Sequence, residues 1–421
     1  MNAFTTLQKS ETWIKPHNYC RACKRDNLEL ILDLGVQPLA GAFLHPDQLV
    51  IEEEQLYPLT IHVCQHCGLV QNTQVIPPER LYWQYHFSSK TIPSLVDHFK
   101  NYALWLKNRF SPGFVFEFGC NDGVLLSPLD HLGIRSCGVD ISENICALAR
   151  QERLNVIHGY FDQEIVDRVL HEYGAADIIT GSNVFAHIDE PGEILNSSSR
   201  LLKSSGHLCL EVMYAGDLYE SMQWDSMYHE HLSFYSLHTL KLLLYRYGFI
   251  IVDAQRIPMH AGSLRIVASM DSGERPNENV ANLLSYENAI GLNHPDAWRS
   301  FSHAVRHKIS IVSQVMQVLG NSHRIWGYGA AGRASMWLNA CRMDYLEAMV
   351  DISPLRAGSL MPGIHTPIVY PDELRKNPPD YIFVTAWNYL DTIRAKENWF
   401  KGVWIVPNPD FRFLGPSLAS I

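Results

Sequence analysis

Three features that would narrow the function class at once are missing from this sequence. No uninterrupted apolar run reaches the roughly 18 residues of a membrane-spanning helix, so no membrane partner is expected. The N-terminus lacks a charged-then-apolar signal pattern, which predicts a soluble, cytoplasmic protein. Basic residues are not in excess, since 34 Lys and Arg stand against 44 Asp and Glu for a net charge of −10. Dedicated nucleic-acid-binding proteins are usually basic, so no nucleic-acid partner is expected either.

Cysteine is also scarce, because nine cysteines in 421 residues are too few for a disulfide scaffold. Four of them nevertheless form two CxxC motifs that lie 40 residues apart. Each CxxC places two thiolates on one tight turn, and two such turns complete a tetrahedral zinc site with no open position. Reduced, unliganded cysteines are the alternative. We therefore expect a structural Zn²⁺ held by Cys20, Cys23, Cys64 and Cys67.

The rest of the composition predicts a multidomain globular protein. Hydrophobic residues make up 47% of the chain, which is ample for several packed cores. Short apolar runs alternate with helical stretches twice, and the polar piece 271–279 is a plausible linker before a helical pattern from Val280 to Leu319. The fold class predicted is α/β, with two doubly wound, Rossmann-like domains preceded by a small zinc-binding domain. The predicted domains are 1–85, 86–270 and 271–421.

Eight apolar runs are predicted to be parallel strands buried on both faces. Those of the middle domain are 114–118, 136–140, 176–180 and 207–211, and those of the last domain are 324–328, 348–351, 381–385 and 403–406.

The glycine turn Glu117-Phe-Gly119-Cys-Asn121-Asp-Gly123 ends the first of these strands and opens a helix. Its glycines would let a ligand approach the backbone closely. Asp140 ends the next strand, where a carboxylate can accept both ribose hydroxyls of an adenosine. The E-x-G-x-x-x-G form looks like the first motif of S-adenosylmethionine-dependent methyltransferases, with Glu117 near the methionine ammonium. A generic strand-to-helix turn is the alternative.

A second glycine turn, Gly327-Tyr-Gly-Ala-Ala-Gly332, is a literal G-x-G-x-x-G after a strand. Asp351 ends the following strand 19 residues further on. Taken alone, this pattern is a dinucleotide fingerprint. It is compatible with binding NAD, with binding another nucleotide, and with glycines that serve only tight packing.

The segment Tyr228-His-Glu-His231 groups residue types suited to proton abstraction and to stabilising the resulting anion. A buried, hydrogen-bonded His–Glu pair is the alternative. The position beyond the strand that ends at Glu211 favours the functional interpretation, since a methyl acceptor should dock there. In an extended strand Glu230 would oppose the two histidines, whereas a turn would remove that restriction. His260-Ala-Gly-Ser263-Leu-Arg265 adds a histidine and a cation beside small residues, where phosphate or sugar could approach.

Taken together, these residues resemble the nucleotide-sugar C-methyltransferases, which methylate a ring carbon during unusual-sugar biosynthesis. The resemblance covers nearly the whole chain. It rests on the paired cysteines, Leu34-Gly-Val-Gln-Pro-Leu-Ala40, Tyr57-Pro-Leu59, Cys67-Gly-Leu-Val-Gln71, Asn183-Val-Phe-Ala-His-Ile188, Tyr228-His-Glu-His-Leu232, Gly327-Tyr-Gly-Ala330, Asp351 through Pro362-Gly363 and Ala386-Trp-Asn388.

The resemblance implies a cofactor-binding middle domain and a C-terminal domain that helps to hold the nucleotide sugar. It implies that His231 is the general base, with Glu230 and Tyr228 beside it. It also implies that a tyrosine after the zinc domain enters the pocket, for which Tyr85 is the candidate and Tyr82 the alternative. The implied acceptor is carbon 3 of a 4-keto-6-deoxyhexose attached to a nucleoside diphosphate.

The implied ligand contacts divide into two sets. Contacts to S-adenosylmethionine are expected from Glu117, Gly119, Asn121, Gly123, Asp140, Phe161 and Asn183. Contacts to the substrate are expected from His229, His260, Ser263, Arg265, Tyr328 and Arg333.

Three positions depart from the family pattern. Ala261 stands where a second glycine is usual, Arg333 where lysine is expected, and Phe87 where a tyrosine is common. They leave the methyl-transfer residues intact and leave the sugar and the nucleotide unidentified. The oligomeric state is also open, although a monomer is compatible with the sequence.

Three other functions remain open at this point. A nucleotide-sugar epimerase or dehydrogenase would use the C-terminal fingerprint. A zinc-bearing RNA methyltransferase is disfavoured by the acidic balance. A non-catalytic sugar-nucleotide-binding protein would be indicated by loss of the Glu117–Gly119 motif or of the Tyr228–His231 cluster, and both are present.

Overall fold

The computed structural model of the chain describes residues 14–47, 54–82 and 85–415. It confirms the α/β fold class, with an antiparallel N-terminal sheet followed by two larger, mainly parallel sheets. Among the described residues, no helix has the combination of length and apolar character needed to cross a membrane.

The N-terminal region is built from short antiparallel pairings around the cysteine turns. Its four-stranded sheet has the order β11-β4-β3-β2, and β1 pairs with β5 separately. The fourth strand of this sheet, β11, comes from far along the chain, directly after the Tyr228–His231 segment. The predicted first domain, 1–85, therefore does not supply its whole sheet. The elements are β1 Lys15–Pro16, β2 Leu28–Pro38, β3 Leu56–Cys64, β4 Val70–Asn72, β5 Gln74–Val75, the helix Pro78–Leu81 and β11 Ser233–Phe234.

The middle region contains a seven-stranded sheet of order β12-β13-β10-β9-β6-β7-β8. Pairing is parallel from β10 to β8, and β13 is antiparallel to both of its neighbours. The strands are β6 Phe114–Phe118, β7 Arg135–Asp140, β8 Val156–His158, β9 Ala176–Ser182, β10 Leu202–Met213, β12 Ile250–Ile257 and β13 Ser263–Ser269. The helices are Pro93–Phe110, Leu126–His131, Glu143–Gln151, Gln163–Glu172, Pro191–Leu201, Ala215–Glu220 and Leu237–Tyr245.

The C-terminal region contains a six-stranded sheet of order β16-β15-β14-β17-β18-β19, in which only β19 is antiparallel. Its strands are β14 Ile325–Tyr328, β15 Ala348–Val350, β16 Ile368–Val369, β17 Tyr381–Val384, β18 Val403–Val406 and β19 Arg412–Leu414. Its helices are Gly332–Ala340, Pro371–Lys376 and Leu390–Lys396, and the connecting helices are Glu278–Ala289 and Pro295–Gly320.

The eight predicted parallel strands are confirmed, with ends that differ by a few residues. The continuous helical pattern from Val280 to Leu319 instead forms two helices. Pro295 occupies the first turn of the second helix, because proline has no N–H to donate and clashes with the preceding turn of a helix. The chain therefore bends before this proline.

One apolar cluster joins all three regions. It contains Leu59 of the N-terminal sheet, Trp224 and Met227 of the middle region, and Trp298 and Trp337 of the C-terminal part. Trp224 and Met227 are fully buried in it. The segment that leads into the Tyr228–His231 cluster is thus part of a shared core.

Candidate active site and metal centre

The four predicted zinc ligands converge on one point. The sulfur atoms of Cys20, Cys23, Cys64 and Cys67 all lie within 4.8 Å of one another. The Cys20–Cys67 and Cys23–Cys64 sulfur pairs are 3.5 and 3.6 Å apart. Tetrahedral coordination with Zn–S bonds of about 2.3 Å separates the sulfurs by about 3.8 Å, so the arrangement fits Zn²⁺.

A cavity of about 520 Å³ opens beyond the carboxyl ends of β6, β7 and β9. This is the position at which doubly wound sheets bind ligands, because strand order reverses there. Six of the seven predicted cofactor contacts line it, and Gly123 does not. The six are Glu117, Gly119, Asn121, Asp140, Phe161 and Asn183.

Gly119 illustrates why the turn after β6 needs glycine. Its φ is +66°, and a Cβ there would lie 2.5 Å from Cγ2 of Val184. Any side chain would therefore be strained and would also clash with the opposite wall of the cavity.

Asp140 is fixed in place by backbone donors. Its two carboxylate oxygens accept hydrogen bonds from the N–H groups of Asn121 and Ser142, each at 2.9 Å. Burial raises the pKa of this carboxyl, and the two backbone bonds oppose that rise. The carboxylate is thus oriented toward the cavity by its own turn and by the glycine turn next to it.

Glu117 is the least satisfied acid in the cavity. It is 2% exposed, and its Oε2 atom has no hydrogen-bond partner. Burial raises the pKa of Glu117 well above its ordinary value, and the nearby charge of Asp140 raises it further. A cationic ligand group beside this carboxyl would satisfy the free oxygen and favour the ionised form.

The Tyr228–His231 segment is a turn, in which the N–H of His231 donates to the carbonyl of Tyr228 at 2.9 Å. It follows the 3₁₀ turn Trp224–Ser226 and leads directly into β11. The extended alternative considered from the sequence is therefore wrong for this segment.

His231 is held in one tautomer. Its Nδ1 lies 2.6 Å from the carbonyl oxygen of Ser226, which can only accept, so Nδ1 carries the proton and donates it. Burial lowers the pKa of His231 well below 6.5, and the neighbouring His187 and Arg333 also lower it. The ring is therefore neutral at pH 7, with a lone pair on Nε2.

His187 connects this histidine to the cavity and was not singled out from the sequence. It lines the cavity, its ring centroid is 5.0 Å from that of His231, and its Nδ1 lies 3.2 Å from the hydroxyl of Tyr82. Burial lowers the pKa of His187 to about 4. Its place in the motif Asn183–Ile188 was the only signal available in the sequence.

Tyr82 and Tyr85 both line the cavity, with ring centroids 5.3 Å apart. Burial raises the pKa of each phenol well above 10, and the carboxyl of Glu230 raises both further. Tyr228 lies on the other side of His231, at a ring distance of 4.2 Å, and burial raises its pKa as well. Three protonated phenols therefore lie near the neutral histidine and its cavity.

Glu230 does not pair with its histidine neighbour. Among the described residues it has no hydrogen bond to His231, and it accepts one from the backbone of Gly41. Burial raises the pKa of Glu230 to about 7, against the lowering effect of Arg356. The orienting partner of His231 is thus the Ser226 carbonyl and not a carboxylate.

Three predicted substrate contacts have their polar groups engaged elsewhere and do not line the cavity. Nε2 of His229 bonds the carbonyl of Pro58 at 3.1 Å. The Tyr328 hydroxyl donates to Glu397 at 3.1 Å, inside the C-terminal core. Arg265 donates to the fully buried Glu211, with Nε at 2.8 Å. Each of these side chains is held by a hydrogen bond within the protein, although Nδ1 of His229 has no partner, so the geometry supports structural roles.

The other three predicted substrate contacts are brought to the cavity or its border. His260 lines the cavity, and its carbonyl accepts from Arg333 at 3.1 Å. The hydroxyl of Ser263 donates to the carbonyl of Met259 and lies 3.4 Å from Oδ1 of Asn183.

The C-terminal glycine turn packs against the candidate site. A Cβ on Gly332 would lie 2.8 Å from Cζ of Tyr228, so the third glycine makes room for that ring. Asp351, which would hold a ribose in a dinucleotide site, is paired with the guanidinium of Arg356 at 3.1 Å. These contacts favour close packing over NAD binding as the reason for the fingerprint.

Comparison with known proteins covers the chain in three consecutive parts. Residues 20–82 match a zinc binding domain family, 90–254 a methyltransferase domain, and 258–409 a C-methyltransferase C-terminal domain. Together with the four converging sulfurs, the first match confirms the predicted zinc-binding domain.

Individual proteins resemble the chain to different extents. The C-methyltransferase NovU of Streptomyces niveus is 31% identical over 413 residues, which are 95% of this chain and 98% of that protein. A ubiquinone biosynthesis O-methyltransferase of Xanthomonas oryzae is 28% identical over 24% of this chain and 42% of its own length. The solved structure of magnesium protoporphyrin IX methyltransferase from Synechocystis with bound SAH has 16% identity and a TM-score of 0.34, covering 42% of this chain and 83% of that one.

Replacing one zinc ligand should remove the metal and destabilise the N-terminal region. Zinc contributes about 10–16 kcal/mol to the folding of small zinc domains, so Cys64→Ser should lose bound zinc and unfold at a lower temperature. Cys341→Ser is the matched control, because Cys341 is also buried but lies outside the cluster. Elemental analysis and thermal denaturation measure both effects, and equal zinc content in Cys64→Ser and the control would contradict the assignment.

Proposed function

We propose that this chain, which belongs to the C-methyltransferase family, transfers a methyl group from S-adenosylmethionine to a ring carbon of a nucleoside-diphosphate keto-sugar. Carbon 3 of a 4-keto-6-deoxyhexose is the proposed position. The observation that carries the proposal is a neutral, tautomer-locked His231 that lies one aromatic ring away from the cofactor cavity.

The cavity residues fit the methyl donor. Its cationic amino-acid end would satisfy the unpartnered Oε2 of Glu117, and its ribose hydroxyls would bond the oriented carboxylate of Asp140. Asn183 would contact the methionine part. When bound, the donor supplies a methyl group on a positively charged sulfur, which is electrophilic toward carbon.

The acceptor carbon has to be made nucleophilic by the protein. A ring carbon that carries only hydroxyl groups is not a nucleophile, whereas a carbon next to a ketone becomes one when it loses a proton. Nε2 of His231 is the lone pair available for that proton, because Nδ1 is already donating to the Ser226 carbonyl. The resulting enolate carbon forms the new C–C bond as the C–S bond breaks, with inversion at the methyl group, and His231 then releases its proton to water.

The imidazole of His231 alone is too weak a base to remove the proton from the carbon next to a ketone. Each unit of pKa mismatch costs about 1.4 kcal/mol, so hydrogen-bond donors must stabilise the enolate oxygen. The phenols of Tyr85 and Tyr228 are suited to this role, because burial and the charge of Glu230 raise the pKa of each and keep it protonated. The charge of Glu230 would thus raise the pKa of the two phenols, and Glu230 would not orient His231.

The acceptor side of the site also offers a positive charge. The guanidinium of Arg356 is 8% exposed, and its Nη1 is paired with Asp351 whereas its Nε has no hydrogen-bond partner. Its charge acts on both Glu230 and Tyr228. A buried donor of this kind fits an anionic substrate such as a nucleoside diphosphate. Arg356 belongs to the C-terminal region, which supports a role for that region in holding the nucleotide sugar.

Incubation with labelled methyl donor and a panel of nucleoside-diphosphate keto-sugars tests the reaction. Mass spectrometry should find one added methyl group, on a carbon next to the ketone. His231→Asn should lower turnover by about 10²–10⁴-fold, because it removes the general base, and should leave cofactor binding unchanged.

The proton-transfer step can be measured without the methyl donor. Wild-type protein in D₂O should exchange the proton next to the ketone, and His231→Asn should not. His229→Asn is the control, since His229 faces Pro58 and should affect stability rather than exchange. Wild-type turnover by the His231→Asn variant would eliminate His231 as the base.

Cofactor affinity should depend on pH through Glu117. Its pKa is raised in the free protein, so binding a cationic ammonium requires loss of a proton, and affinity should fall as the pH drops below that pKa. Glu117→Gln should bind about 10–100-fold more weakly and show a flatter pH profile. Calorimetry measures both properties, with Glu143→Gln as an exposed control outside the cavity. An unchanged pH profile in Glu117→Gln would refute the assignment.

A further inference from the structure

A buried carboxylate lies six residues before the proposed base. Asp225 is fully buried, and its Oδ2 accepts hydrogen bonds from the indole N–H groups of Trp337 at 3.0 Å and of Trp387 at 2.9 Å. Nη1 of Arg333 lies 3.5 Å from its other oxygen. All three partners belong to the C-terminal region, which therefore supplies the two hydrogen bonds to Oδ2 and the opposite charge that stabilise this buried carboxylate, while Oδ1 itself accepts no hydrogen bond.

The turn that contains Asp225 also orients His231. Asp225 is the middle residue of the 3₁₀ turn Trp224–Ser226, and the N–H of Met227 closes the turn by donating to Trp224. The carbonyl of Ser226, the next residue along the chain, accepts a hydrogen bond from Nδ1 of His231. Asp225 and the carbonyl that selects the tautomer thus belong to the same short turn.

A second link ties the same turn to the cavity wall. Gln223 accepts from Nη2 of Arg333 at 2.9 Å and donates to the carbonyl of Ala261 at 2.8 Å. Nη2 of Arg333 also donates to the carbonyl of His260, which lines the cavity. The C-terminal region therefore contacts the residue that precedes the turn, Gln223, and its middle residue, Asp225.

We propose that Asp225 is a positioning residue for His231, anchored by the indole donors of Trp337 and Trp387 so that the Ser226 carbonyl keeps Nε2 free for proton abstraction. This inference rests on the proposed role of His231 as the base. It means that the C-terminal region orients the base His231, in addition to any contact that this region makes with the nucleotide sugar.

Trp387→Phe is the mildest test, because it removes one N–H and keeps a ring under the guanidinium of Arg333. We expect it to lower kcat about tenfold, with the KM for the methyl donor unchanged. Trp399→Phe is the matched control, since it removes an indole–carboxylate bond to Glu397 in the same region. An equal loss of kcat in both variants would overturn the proposal in favour of general destabilisation.

Substitution of the carboxylate itself gives a graded series. Asp225→Ala should lower kcat about 100-fold, the size of effect expected when a reacting group is misplaced by about an ångström. Asp225→Asn keeps an oxygen acceptor for the indoles and should recover most of that loss. If Asp225→Ala does not fold, Asp225→Asn and Trp387→Phe still decide the question.

An NMR measurement reports the orientation of the His231 ring without requiring turnover. In protein labelled with ¹⁵N-histidine, the Nδ1–H resonance of His231 is identified by its absence in His231→Asn. That resonance should persist in Trp399→Phe and weaken through solvent exchange in Trp387→Phe and Asp225→Ala. Wild-type kcat and an intact resonance in the last two variants would overturn the proposal.

If no keto-sugar is methylated even by the wild type, the proposed function fails, whereas this resonance still reports whether Asp225 positions His231.

Discussion

The pairing of β11 with β4 is the contact on which the geometry of the site depends. Ser233 and Phe234, directly after the proposed base, form a strand of the N-terminal sheet opposite Gln71 and Val70. The carbonyl of Leu232 accepts from the N–H of Asn72 and from the buried guanidinium of Arg21. Arg21 lies inside the first CxxC turn, so zinc coordination, the sheet and the position of His231 form one continuous structure. A metal with no open coordination position thereby still influences where the proposed base lies.

Several buried polar atoms near the candidate site lack hydrogen-bond partners. Buried polar atoms are nearly always hydrogen-bonded, and exceptions call for an explanation. Unpartnered atoms among the described residues include Oε2 of Glu117, Nε of Arg356 and Nδ1 of His86, all of which lie in or beside the proposed cofactor and acceptor sites. Stability given up at these atoms is recovered when a ligand supplies their missing partners.

Sequence reasoning placed a residue correctly where its location follows from its position along a strand or turn. Asp140 was predicted because it ends a strand next to a glycine turn, and the four cysteines because their spacing forms two tight turns. Tyr328 and Arg265 could not be judged in this way, since their partners Glu397 and Glu211 lie 69 and 54 residues away. His187 was missed for the same reason, because its importance comes from the rings of His231 and Tyr82 that the fold places beside it. The turn at Tyr228–His231 could not be predicted because the segment contains no glycine, and the turn is closed by the N–H of His231 donating to the carbonyl of Tyr228.

The charges of the site are arranged so that two ligands of opposite sign can meet. Glu117 and Asp140 line the cofactor cavity, which suits a cationic methyl donor. Arg356 and Arg333, which are paired with Asp351 and Asp225, lie near Tyr228 and His231, on the side proposed for an anionic nucleotide sugar. Between them lie His187, His231 and the tyrosines, which burial keeps neutral. A protonated histidine at this boundary would repel the cationic donor and could not accept a proton. The same burial that lowers the pKa of His231 therefore makes it compatible with a cationic donor, and in the proposed reaction it leaves the histidine dependent on phenol donors.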